Sequence, residues 1–404
     1  MRPNNAEKTH VNWHPPRKYA IPGGRQASLP WEIQSMFRED GVSAKLYLAV
    51  GSLNREAPYF QGARGEGVTV FAFDEETLTA RRVVGTSTVD NPTFMSVDAA
   101  SGVIYANSEV FGWHEGTTSA LVFDAGKETL SYINKQPALG SITAYNMVAK
   151  DRSFVAVANY AMGSGGPDRS VAILPIREDG GLAPASASIR LTGTLGPNGE
   201  RQERPHAHIV TETPEGGTLL VADLGLDSVF ALALDSEGNL SQTGAVEMPA
   251  GAGPRHMAQH GNGKFVYVSN ELQSTVSFLR RDGSNMELVE TLSTIPDGVV
   301  SHAADIHLSE DGCFVYVSIR GDDSIACFAV DQESGRLNRI ALTPCGGDTP
   351  RNFALLPGGR HMLVANQNSD AIVIFARDAE TGLLEDTGKR IEIGTPVCVR
   401  PFFR

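Results

Sequence analysis

The sequence predicts a closed all-β ring, a seven-bladed β-propeller. Two strand-like units recur seven times each, their period is roughly 50 residues as in a four-stranded blade, and the chain ends in the one strand that its first blade lacks. The first unit is an apolar run ending in small or polar residues. It reads LYLAVGS from Leu46, VIYANSE from Val103, FVAVANY from Phe154, TLLVADLG from Thr218, FVYVSNE from Phe265, FVYVSIRG from Phe314 and HMLVANQN from His361. The second unit runs from VTVFAFDEETL at Val68 to IVIFARDAETGLL at Ile372. It is rich in β-branched and aromatic residues and meets Asp, Gly, Asn or Ser just before a leucine, the pattern of a strand turning into a hairpin.

A third unit precedes the first: NPTFMSV from Asn91, ITAYNMV from Ile142, PHAHIVT from Pro205, PRHMAQH from Pro254, AADIHLS from Ala303, PRNFALL from Pro350 and PVCVRPF from Pro396. The last copy has no follower and LYLAVGS has no predecessor. Pairing the two buries sheet edges that otherwise stay open, so Pro396 to Phe402 is expected to be the inner strand of blade one. The propeller then spans residues 44–404. Residues 1–43, rich in Pro, His and Arg, lie outside the repeat as an arm that runs along the propeller, pairs with a second subunit or stays disordered.

Composition narrows the function classes. Of 404 residues, 41% are hydrophobic and 20% charged, enough for an ordinary globular core, and a net charge of -13 disfavours nucleic acid or an anionic membrane as partner. The first thirty residues have no apolar signal core, and no run approaches the ~18 apolar residues of a membrane span, so a cytoplasmic monomer or homodimer is expected. Cys313, Cys327, Cys345 and Cys398 show no metal or CxxC spacing and read as reduced core residues. No cofactor is implied.

In a four-stranded meander, the connection into the innermost strand and the one leaving the second strand lie on the same face and surround the channel mouth. Second-strand ends bring Glu109, Asn159, Asp223, Glu271, Arg320 and Gln367 there, and inner-strand starts bring His206, Arg255, His256, His302 and Arg351. Such a convergent polar set is typical of a ligand site. Asp223, Asp227, Asp323 and Asp370 read instead as turn residues that cap backbone N–H groups. His206 and His208, two apart on one strand, could form a metal pair, but no further ligands recur at suitable spacing, and no metal is expected. Arg255 and Arg320 stand among small and apolar neighbours and need an anion, either Glu271 or a substrate carboxylate or phosphate.

At these residues the sequence resembles the lactonase family of seven-bladed propellers, which includes propeller-type 6-phosphogluconolactonases and fungal 3-carboxy-cis,cis-muconate lactonizing enzymes. The resemblance rests on NPTFMSVD, ANYAMGSGG from Ala158, PHAH with ADLGLDSV, GAGPRHMAQH with VSNEL, VYVSIRGDDSIACF, and TPRNFALLPGG with VANQNSDAIVIF, in fixed order from about Lys45 to the C-terminus. The lactonizing enzymes' catalytic His, two Arg and Glu match His206, Arg255, Arg320 and Glu271; Ile319 before Arg320 departs from the commoner Asn-Arg pair.

The resemblance implies a hydrolase opening a small anionic sugar-acid lactone. In that reading His206 and Glu271 share the base and acid roles, Arg255 and Arg320 hold the oxyanion and the substrate anion, and Arg351, His256, His302, Asn159, Gln367 and Glu109 contact substrate. The chain has no G-x-S-x-G nucleophile elbow, which disfavours an acyl-enzyme. A carboxymuconate cycloisomerase and a non-catalytic interaction scaffold are the rival readings.

Overall fold

The computed structural model describes residues 44–58, 60–162, 166–235 and 238–404; the arm expected at 1–43 lies outside them. The described residues form seven four-stranded antiparallel sheets. In six of them four strands follow in chain order. The remaining sheet joins Pro396–Phe403 to Leu46–Ser52, Val68–Asp74 and Thr79–Thr86, so the last strand of the chain completes blade one.

The two middle strands of each blade carry β-branched and aromatic residues on both faces because both faces are covered. Tyr267, Val315 and Val317, for example, are fully buried between blades five and six. The core is thus a set of apolar layers, one between each pair of adjacent blades: Leu48 and Leu363 pack in the layer that closes the ring, Ile104 and Val70 in the next. Outermost strands such as Thr79–Thr86 alternate with solvent and are more polar. Cys327, Cys345 and Cys398 are buried free thiols within these layers, and Cys313 is partly exposed.

Aspartates staple the loops that lead into the inner strands. Asp227 accepts from Gly251 N at 2.6 Å and Gly253 N at 2.8 Å, Asp323 from Thr349 N at 2.9 Å, and Asp370 from Thr395 N at 2.8 Å. Each stands at a positive φ of 45 to 53°, a turn conformation that Asp tolerates because its short side chain bonds locally. Asp223 Oδ1 accepts the N–H groups of His206, Gly225 and Leu226, while burial pushes the carboxyl up to about 7. All four therefore have the turn-capping role read from the sequence.

Removing residues 396–404 takes the inner strand from blade one, and with it Val399 from the layer around Leu48 and Leu363. The truncated protein is expected to lose its cooperative thermal transition in circular dichroism; an unchanged melt would show that closure contributes nothing to stability.

Candidate active site at the channel mouth

The inner strands are not regular. In six of the seven, pairing with the second strand slips near the strand's head. The residues left over are Ala144, His208, Arg255, Arg351 and Val397, with Ala304 and Asp305 together in blade six. Such a bulge re-aims the extra side chain, and here Ala144, His208, Arg255 and Arg351 line one cavity of about 320 Å³. Second strands supply the rest of the wall. The residue whose N–H bonds back to the head of its own inner strand is Glu109, Tyr160 or Glu271 in three blades; Arg320 pairs opposite His302, and all four line the cavity.

At its centre Glu271 is clamped by three guanidiniums. Oε1 meets Arg201 Nη2 at 2.7 Å, and Oε2 meets Arg255 Nε and Arg320 Nη2, both at 3.0 Å. Burial alone would raise the carboxyl, but Arg320, Arg201 and Arg255 hold it well below its ordinary value. Arg255 is pushed down, to about 9, by burial and by the charge of Arg320. Its Nη1 and Arg320 Nε are buried donors with no hydrogen-bond partner. Beside them Arg351 reaches Glu109 at 3.3 Å, and Glu109 also accepts from Thr93 Oγ1 at 2.6 Å.

His208 stands in the wall with Nδ1 unpartnered, and burial, Arg255 and His256 lower it well below 6.5, so the ring is neutral. Its ring lies edge-on to Tyr160 and to His256, with centroids 5.7 and 5.2 Å away. Tyr160 Oη accepts from Arg201 Nη2 at 3.2 Å, and burial with the nearby Glu271 charge pushes the phenol up to about 12.

Several residues expected at the mouth stand elsewhere. His206 is buried beside the cavity, stacked on Tyr160, with Nδ1 2.5 Å from the Tyr160 carbonyl and Nε2 3.0 Å from Glu203. Both ring nitrogens are taken up by protein acceptors, so neither is turned toward the cavity. The slip at His208 also breaks the two-residue alternation, so the two histidines do not share a face, as a metal pair would require. Among the described residues no group of three or more His, Cys, Asp or Glu is arranged to hold a metal ion.

Asn159 sits one residue before the wall-forming Tyr160 and turns away: its amide donates to Ala138 O at 2.7 Å and Arg169 O at 3.0 Å and accepts from Thr143. Gln367 is buried against Asn368 outside the cavity, and Asp223 is absorbed in its own turn. His256 lies below, donating from Nδ1 to Asp305 at 2.7 Å, and Asp305 also meets His307 and Asn352. His302 lines the outer wall. Sequence reasoning missed Tyr160, His208 and Arg201 as site residues. Alignment of Asn159-Tyr160 with Asn270-Glu271 points to Tyr160; nothing in the pattern points to Arg201.

A seven-bladed propeller with a cationic, histidine-lined cavity at one channel mouth is the form of a small-molecule enzyme rather than of a scaffold. The sequence matches the lactonase family of seven-bladed β-propellers over residues 47–401, and the chain belongs to that family. A 6-phosphogluconolactonase of Bacillus subtilis is 33% identical over 339 residues, covering 83% of this chain and 94% of the relative. The crystal structure of a provisionally assigned 6-phosphogluconolactonase from Bacteroides fragilis is similar, with TM-score 0.79 and 32% identity over 88% of this chain and 98% of that one. A periplasmic gluconolactonase of Pseudomonas aeruginosa gives TM-score 0.78 and 31% identity, over 88% and 99%. No helix among the described residues is long and apolar enough to cross a membrane.

His256 gives a stability signature. Burial, then Arg255, lower it to about 4 against the pull of Asp305, so between pH 6.5 and about 4 the unfolded chain binds a proton that the native state refuses. Stability therefore falls as pH falls through that window, by up to about 1.4 kcal/mol per pH unit for the one proton. Asp223, raised to about 7, acts in the opposite direction but is common to wild type and variant. Denaturant titrations at pH 7, 6 and 5 should give a steeper loss in wild type than in His256→Gln. Parallel curves would mean that the native state protonates His256 normally.

Proposed function

We propose that the protein hydrolyses a sugar-acid lactone in this cavity, with His208 as the proton-transfer group. The observation that carries the reading is the pairing of a neutral imidazole with buried, unsatisfied guanidinium N–H groups in one cavity. Ester hydrolysis needs a base for water and donors for the oxyanion, and the two are supplied side by side. The names of the Bacillus subtilis and Pseudomonas aeruginosa relatives support a lactone as the ester.

In this mechanism His208 takes a proton from water as its oxygen adds to the lactone carbonyl. The carbonyl π pair moves onto oxygen, where Arg255 Nη1 and Arg320 Nε satisfy their empty donor positions on the new charge. A buried N–H left unpaired costs ~1–3 kcal/mol, so this gain arises only as the oxyanion forms. Collapse breaks the ring C–O bond, and the imidazolium of His208 returns its proton to the departing alkoxide. Glu271 has a different task from the acid-base role expected of it. A carboxylate clamped by three cations is a poor base and carries no proton to give; it holds the guanidiniums in register and offsets their mutual repulsion.

His208→Ala is expected to lower kcat by ~10²–10⁴ with the fold intact, read as acid release from a δ-lactone. His206→Ala is expected to act mainly through stability, because it breaks contacts to Tyr160 and Glu203. Since His208 is held neutral, the acid limb of kcat/KM should lie well below pH 6.5. Unchanged turnover in His208→Ala, or a wild type that consumes 3-carboxymuconate and opens no lactone, would defeat the proposal.

A further inference from the structure

Beneath the cavity the channel holds a second set of polar groups, which the mechanism above does not use. At its centre is Asp305, buried on the inner strand His302–Leu308. Its Oδ1 accepts from His256 Nδ1 at 2.7 Å and from Ile306 N at 3.0 Å. Its Oδ2 accepts from His307 Nε2 at 3.0 Å, Asn352 Nδ2 at 2.5 Å and Phe353 N at 3.3 Å. Burial alone would raise this carboxyl, but His307 and His256 hold it well below its ordinary value. An ionised carboxylate can only accept, so the one proton of neutral His256 is on Nδ1, and its Nε2 carries a bare lone pair.

The His256 ring is fixed from several sides. Phe94, Tyr145 and His208 stand edge-on to it, with centroids 6.0, 5.3 and 5.2 Å away. Phe94 and Tyr145 are stacked on each other at 3.7 Å, and the Arg400 guanidinium lies over Phe94 at 4.1 Å. His256 and His208 also share the wall of a small inner cavity of about 10 Å³ with Arg255, Arg351 and Asn352. That is about the room of one water. With Nδ1 given to Asp305, the nitrogen that His256 offers to this space is Nε2.

His208 has no such anchor of its own, since nothing among the described residues bonds its Nδ1. A neutral imidazole exists as two tautomers, and it serves as a base only in the one whose bare nitrogen faces the reacting water. We infer that Asp305 and His256 are the positioning residues of the site, selecting the working tautomer of His208 through a single water held in the inner cavity. A water that donates to His256 Nε2 turns its oxygen toward His208 and accepts the N–H of that ring, which leaves the other nitrogen bare. Neither Asp305 nor His256 lines the substrate cavity. The inference rests on the reading of His208 as the proton-transfer group of a lactone hydrolase.

Asp305 also ties the inner strands of blades five, six and seven together, and two variants separate that tie from the tautomer. His256→Asn keeps an N–H where Nδ1 bonds Asp305 and removes Nε2; Asp305→Asn keeps the shape and removes the charge. Nitrogen-15 spectra of histidine-labelled protein, free of substrate, are expected to show one His208 tautomer in wild type, with His256 protonated on Nδ1. In both variants His208 should become a mixture of the two tautomers. Acid release is measured with 6-phosphoglucono-δ-lactone or glucono-δ-lactone, whichever wild type opens faster. In the variants kcat should fall about 10- to 100-fold with KM little changed, the size usual for a group that orients a working imidazole. A single His208 tautomer that survives in both variants, or wild-type kcat in His256→Asn, overturns the inference. So does a wild type whose His208 is already a mixture, a result that needs no variant to fold. A wild type that opens neither lactone defeats the hydrolase reading, while the spectra still decide whether Asp305 and His256 set the tautomer.

Discussion

One extra residue at the head of an inner strand makes this site possible. Strands that alternate strictly would send their side chains toward neighbouring blades and leave little to meet at the axis. In four of the bulged blades the slip puts the extra side chain in the cavity wall, and its size and charge then decide the shape of the cavity. Ala144 leaves room in its blade, while His208, Arg255 and Arg351 bring bulk and charge to theirs. Asymmetry of this kind lets a ring of similar blades hold a ligand in one orientation.

Glu271 then allows like charges to coexist. Three guanidiniums within hydrogen-bond reach of one another's partner would repel strongly in a desolvated pit, and a single carboxylate between them offsets that. The compensation is incomplete: Arg255 Nη1 and Arg320 Nε are buried without a hydrogen-bond partner in the protein. A protein of net charge -13 thereby keeps an excess of positive charge in one cavity while its exterior discourages polyanions.

The ring, its blade count and its closing strand were legible because strand units repeat with fixed spacing, and periodicity is a property of sequence. The mouth was legible in outline for the same reason: Glu109, Glu271, Arg255, Arg320, Arg351 and His302 fall at strand ends and line the cavity. What escaped was register. A bulge leaves no mark in a six-residue strand, so His206 stood in for His208, and a one-residue offset put Asn159 where Tyr160 belongs. Arg201 escaped for another reason, since a side chain delivered by an irregular connection has no repeat to be compared with.

The closing strand has a consequence during synthesis. Leu46–Ser52 is made before the other six blades, yet its partner Pro396–Phe403 is made only after them. The nascent chain can stack six blades as they emerge, each resting on the one before, but the opening blade must wait half-built with a bare edge. Synthesis of Pro396–Phe403 is then the step at which the ring can become one cooperative unit, and until that moment its unpaired edge is open to chaperones or to misassociation with another nascent copy.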